Sequence, residues 1–155
     1  MLPKVSIVFF SIFSLICFYQ CNPAQPKGPV WEQKKYFFPT GEVSTIYWLK
    51  DGKQDSIMTT FDREGNKTGE LRFRDDKQEG QTVYFYPSGK RKEEHFYTNG
   101  KKEGLVTVWY ESGKKQVEAN YLNDKKHGVF RKWAEDGSLI LETTFAADTV
   151  VIPPQ

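Results

Sequence analysis

Apolar residues gather in short runs separated by polar turn residues, and no run in the body of the chain has the length or period of a helix. Gln81-Thr82-Val83-Tyr84-Phe85-Tyr86 and Leu105-Val106-Thr107-Val108-Trp109-Tyr110 are strand-length, rich in β-branched and aromatic side chains, and bounded by glycine. Between such runs stand Tyr86-Pro87-Ser88-Gly89-Lys90 and Phe38-Pro39-Thr40-Gly41-Glu42. There proline suits the first central position of a type I turn, and glycine supplies the left-handed residue of a three-residue hairpin loop with a bulge. Thr98-Asn99-Gly100 is expected to take the same shape, with Asp76 and Asp124 tolerating positive φ where glycine is missing.

These turns recur. Gly41, Gly65, Gly89, Gly113 and Gly137 fall 24 residues apart, and Gly80, Gly104 and Gly128 repeat at the same interval. Each unit therefore reads strand, turn, strand, turn. The chain as a whole predicts an all-β fold, a single elongated antiparallel β-meander of repeated hairpins with about ten strands spaced about 4.8 Å apart.

Continuing the hairpin register from Tyr86 opposite Lys90 pairs Phe85 with Arg91 and Val83 with Glu93. Odd-numbered residues then share a face. That face would carry Phe37, Leu49, Phe61, Phe73, Phe85, Tyr97, Trp109, Tyr121, Trp133 and Phe145, all aromatic but one. Neighbours in this column are expected to stack or meet edge to face and so to form the core. The even face is mixed: Trp48, Tyr84, Tyr86, Phe96, Tyr110 and Phe130 lie beside Glu70, Glu94, Glu118 and Glu142. The same register sets Glu94 opposite Gly104 and Glu118 opposite Gly128, with an aromatic covering the glycine.

The first twenty residues differ in kind. Lys4 precedes an apolar run from Val5 to Tyr19, the layout of a secretory signal peptide over residues 1–20. A proline-rich tether follows over 21–30. The repeat sheet is assigned to 31–146, and 147–155 to a C-terminal tail that adds a short edge strand or frays. Cys21 resembles the acylated first residue of a bacterial lipoprotein, although Phe18, Tyr19 and Gln20 replace the usual residues before it. An uncleaved anchor from Leu2 to Tyr19 and simple secretion are the alternatives. All three place the body outside the cytoplasm, in the cell envelope or secreted.

Composition adds exclusions. The formal charge is +2 with both signs interspersed, which is not the basic footprint of a nucleic-acid-binding protein. Cys17 and Cys21 are the only cysteines, so the body is expected to hold no disulfide or thiolate metal site. His95 and His127 have no ligand spacing and read as surface or strand residues, and neither a metal nor a cofactor is expected. Ser88 and Ser112 sit in turns.

The Glu column offers carboxylates about 9–10 Å apart on every second strand, near the upper limit for inverting glycoside hydrolysis. Repetition among many Lys and Arg residues favours a surface charge ladder, so no catalytic residue is assigned. Lys77, Lys101-Lys102 and Lys125-Lys126-His127 would line one edge of the sheet, where Asp75, Glu79, Glu103 and Asp124 weaken their field.

The motif Gly-x-x-x-x-[Tyr/Trp]-Tyr-x-x-Gly-Lys, followed by a strand and Asn-Gly-Lys-Lys-x-Gly, resembles a MORN-type repeat of the bacterial variant. Gly80 to Lys90, Gly104 to Lys114 and Gly128 to Gly137 carry it, within a span of about residues 36 to 145. Ser56 replaces the leading glycine in one unit and Ala134 the second aromatic in another. The resemblance implies a repeat sheet and brings a YwqK-type antitoxin label, which in an exported protein fits immunity against an incoming toxin.

The reading is a membrane-tethered scaffold or immunity-like binder with an unidentified protein partner. One alternative is an envelope polysaccharide binder using Trp48, Tyr84, Tyr86, Phe96 and Tyr110. The other is a glycan-cleaving enzyme using the Glu column.

Overall fold

The computed structural model describes residues 28–152; the signal segment and Cys21 lie outside them. The described chain forms one antiparallel sheet whose strands follow in sequence order: β1 (Trp31–Phe37), β2 (Val43–Lys50), β3 (Lys53–Phe61), β4 (Lys67–Arg74), β5 (Lys77–Phe85), β6 (Arg91–Thr98), β7 (Lys101–Lys102), β8 (Gly104–Trp109), β9 (Lys115–Leu122), β10 (Lys125–Trp133), β11 (Leu139–Ala146) and β12 (Thr149–Val151). The expected all-β meander is the observed fold. It has twelve strands, because Glu103 interrupts one strand into β7 and β8, which both pair with β6, and because the sheet continues past Ala146 into β12.

Two turn chemistries alternate. At one end of the sheet the three-residue loops form as expected: Gly89 N–H donates to the Tyr86 carbonyl at 2.8 Å and Tyr86 N–H to the Lys90 carbonyl at 2.9 Å, and Gly113 and Gly137 repeat the first bond. At the other end the loops are shorter than the sequence reading had them. Lys50 pairs with Lys53, Arg74 with Lys77, Thr98 with Lys101 and Leu122 with Lys125, leaving two-residue turns. Both central residues then have positive φ, as in Asn99 (53°) and Gly100 (82°) or Asp75 (48°) and Asp76 (66°). This is the type I′ turn, whose twist matches the strands it joins.

Successive two-residue turns are bonded to each other. Asp124 N–H donates to the Lys102 carbonyl at 3.0 Å, and the Asp124 carboxylate accepts from the Lys102 N–H at 2.7 Å. Asp76 with Gln54 and Asp148 with Lys126 repeat the double link. Gly100 keeps the backbone bond to Gln78, while the Glu79 carboxylate accepts from the Asn99 N–H.

The expected face assignment fails at a bulge. Phe85 does pair with Arg91, but the next pairs are Tyr84 with Glu93 and Val83 with Glu94, so Lys92 is an extra residue. Ser44, Thr68, Gln116 and Ile140 are the equivalent extra residues in the other hairpins. One added residue reverses the parity of everything beyond it. The aromatic column therefore divides. Phe61, Phe85, Trp109 and Trp133 lie on the face of the Glu column, and Phe73, Tyr97, Tyr121 and Phe145 lie on the other. We call these the carboxylate face and the tyrosine face.

The same shift corrects the glycine pairing. Gly80, Gly104 and Gly128 stand opposite Tyr97, Tyr121 and Phe145. Glu94 stands opposite Thr107 for a different reason, the two-residue turn at Asn99-Gly100 and the extra residues between β7 and β8. Burial is greatest along the middle of the tyrosine face, at Thr82, His95, Val106 and Ala119, with Val83 and Thr107 buried on the reverse side. Among the described residues only three buried side chains are apolar, Val83, Val106 and Ala119, so cross-strand pairs and turn-to-turn hydrogen bonds contribute alongside a thin core.

Candidate functional site

On the carboxylate face the glutamates are tied into ion pairs: Lys67 to Glu70 at 2.8 Å, Arg91 to Glu94 at 3.5 Å, Lys115 to Glu118 at 2.5 Å and Arg131 to Glu142 at 2.7 Å. Three of these pairs are separated by three residues within one strand, a spacing that points to opposite faces unless a bulge intervenes. The bulge at Thr68, Lys92 and Gln116 brings each cation onto its acid's face. Gln81 donates a further hydrogen bond to Glu94, and the Lys67 ammonium lies 4.5 Å from the centre of the Phe85 ring. The Glu column is thus a charge ladder, paired within the strand at Glu70, Glu94 and Glu118 and across strands at Glu142.

The five aromatics singled out from sequence do not form one surface. Trp48 and Phe96 belong to the carboxylate face and are 40% and 41% exposed, and Leu105 on that face is 41% exposed. Tyr86 and Tyr110 sit at the three-residue turns and join repeats: the Tyr86 hydroxyl donates to the Trp109 carbonyl at 2.7 Å and the Tyr110 hydroxyl to the Trp133 carbonyl at 2.9 Å. Tyr84 lies on the tyrosine face, edge-on to the His95 ring with centroids 5.7 Å apart.

The turn glycines serve geometry. Gly41, Gly65, Gly89, Gly113 and Gly137 all have positive φ, as do Gly80, Gly104 and Gly128 within strands, and Ser56 takes the same conformation at φ 79°.

The tyrosine face carries an arrangement that sequence reasoning missed. His95, expected as a surface or strand residue, is buried in the strand, and its Nε2 lies 3.0 Å from the Glu93 carboxylate. Burial lowers its pKa below the usual histidine value, a change opposed by the Glu93 hydrogen bond and reinforced by Lys102. The neutral ring donates through Nε2, leaving Nδ1 as a buried acceptor with no hydrogen-bond partner. Tyr97 stacks on His95 at 6.4 Å, and burial raises the phenol pKa values of Tyr84 and Tyr97, keeping both hydroxyls protonated at neutral pH. Lys102 sits 4.9 Å from the centre of the Tyr121 ring, and Lys126 repeats this contact over Phe145 at 5.2 Å. The second lysine of the Asn-Gly-Lys-Lys motif is therefore a cation–π residue.

The cluster was hidden in the sequence because the unbulged register sets Tyr84 on the face opposite His95, and the i, i+3 charge pairs were the available signal for the bulge. Among the described residues no group of three or more His, Cys, Asp or Glu side chains is placed to hold a metal, and no helix is long and apolar enough to cross a membrane.

Residues 78–101 and 102–123 match the family model described as MORN repeat variant, which makes these two consecutive units MORN-like repeats. No curated protein matches the chain. A solved structure described as accessory secretory protein 1,2 and 3 in Streptococcus pneumoniae is similar at 15% identity with a TM-score of 0.40. That match covers 64% of this chain and spans only 18% of the other.

Proposed function

We propose that this MORN-like repeat protein is a membrane-tethered, extracytoplasmic scaffold that binds another protein, in the manner of an immunity or antitoxin-like binder. The observation that carries the reading is the exposure of Trp48, Phe96 and Leu105 on the open carboxylate face of an extended sheet. Large apolar side chains on a broad, shallow surface suit a protein partner better than a buried small molecule. The tether is assigned to Cys21 through acylation, from the resemblance of its surroundings to a lipoprotein signal.

Crosslinking in intact envelopes followed by pull-down tests the scaffold. The wild type is expected to capture a discrete protein, and Trp48→Ala combined with Phe96→Ala to lose it while keeping the wild-type melting temperature. Equal capture by that variant removes the carboxylate face from the reading. For the tether, Cys21→Ala is expected to change both mass and detergent-phase partitioning, and identical behaviour would exclude acylation there.

A further inference from the structure

The repeat provides its own control, because each position on the tyrosine face is occupied once per unit. At the position of Glu93 the other units place Thr45, Gly69, Val117 and Leu141, and at the position of His95 they place Tyr47, Leu71, Ala119 and Thr143. An acid beside a base occurs in one unit alone, in the most buried part of the sheet. Leu71 and Ala119 occupy equivalent places without leaving a ring nitrogen unpartnered. A polar pair that departs from the local rule in this way marks function better than packing.

The pair lines a recess of about 460 Å³ on the tyrosine face, whose walls include Tyr84, Tyr97, Lys92 and Lys102. The recess is shallow and open to solvent, so a ligand would lie against the sheet with one side exposed. The Lys92 ammonium is 3.9 Å from Glu93 and 6.0 Å from the Tyr86 ring centre, and Lys102 rests on Tyr121 with no described carboxylate in ion-pair range. The recess lining thus holds two ammoniums, each near an aromatic ring, against the single carboxylate of Glu93, which only Lys92 approaches, and so carries a net positive charge.

We propose that this recess binds an acidic sugar, a pyranose ring bearing a carboxylate. The Tyr97 ring offers a flat apolar wall for a sugar face. Lys102 and Lys92 meet the carboxylate, and Glu93 with the two phenols meets ring hydroxyls. A flat anion without hydroxyls would give Glu93 a like charge and no donor, so the carboxylate of the site selects a sugar over an aromatic acid. The recess opens on the face opposite Trp48 and Phe96, so its test is separate from that of the protein-binding surface.

The test is titration of the full chain in detergent micelles with D-glucuronate, followed through the His95 and Tyr97 ring resonances, with D-glucose as the uncharged control. Saturable shifts are expected with glucuronate and at least tenfold weaker binding with glucose. Lys102→Ala should weaken glucuronate binding at least tenfold at an unchanged melting temperature, and Tyr97→Leu provides a second variant if that one is unstable. An oligogalacturonate arm identifies the source: tenfold tighter binding than the monosaccharide points to a polymer, and equal affinity to a free sugar acid. Absence of saturable shifts, equal binding of glucose, or full binding by Lys102→Ala overturns the proposal.

Discussion

Ser56 is the one residue with a side chain at a position where three other units use glycine, and replacing it tests the backbone reading of the repeat directly. Its φ is 79°, against 85°, 80° and 83° at Gly80, Gly104 and Gly128. Holding an L-residue in the left-handed region costs about 1–2 kcal/mol. Glycine returns roughly 0.5–1 kcal/mol of that through its greater freedom in the unfolded chain.

Ser56→Gly is therefore expected to stabilise the protein by about 0.5–1 kcal/mol. Gly104→Ser is the reverse experiment. A Cβ added at Gly104 meets nothing within 4 Å, so its cost is conformational and should have the same size with the opposite sign. Urea denaturation followed by tryptophan fluorescence reads both changes. With a slope of about 2 kcal/mol/M, the midpoint should rise by about 0.3–0.5 M for Ser56→Gly and fall equally for Gly104→Ser. A midpoint that falls for the first or rises for the second would refute the argument that these positions are selected by φ.

Three further outcomes follow from the contacts. Tyr86→Phe and Tyr110→Phe each remove one hydroxyl donated to the next unit's carbonyl and should each cost about 1 kcal/mol, additively in the double variant, by thermal denaturation. Asp76→Ala loses both a side chain suited to positive φ and the carboxylate that accepts from the Gln54 N–H, and should lower stability by about 2 kcal/mol in the same assay. The depressed pKa of His95 means that the unfolded chain takes up its proton first, so stability is fully present above pH ~6.5 and declines as pH falls through that value toward the folded pKa. His95→Gln should flatten that part of a stability-against-pH curve, and an unchanged slope would show that the ring titrates normally in the fold.

The parts of this protein that follow from local chemistry were legible before any coordinates. Glycines at a fixed interval require left-handed backbone at fixed places, and aromatic and β-branched runs between them leave the chain no choice but strands, so the meander and its three-residue turns were readable from Gly89 and its equivalents. Which face each side chain takes was decided only by the folded sheet. The extra residue is Ser44, Thr68, Lys92, Gln116 or Ile140 in successive hairpins, five side chains with nothing in common, because the bulge is made by backbone hydrogen bonds between two strands and not by any residue's preference. The insertion at Lys92 separates Phe85 from Tyr97 and sets His95 and Glu93 on the face of Tyr84, and the one at Gln116 joins Lys115 to Glu118. The composition of the sheet is a property of the sequence, whereas its sidedness, and with it the recess around His95, is a property of pairing.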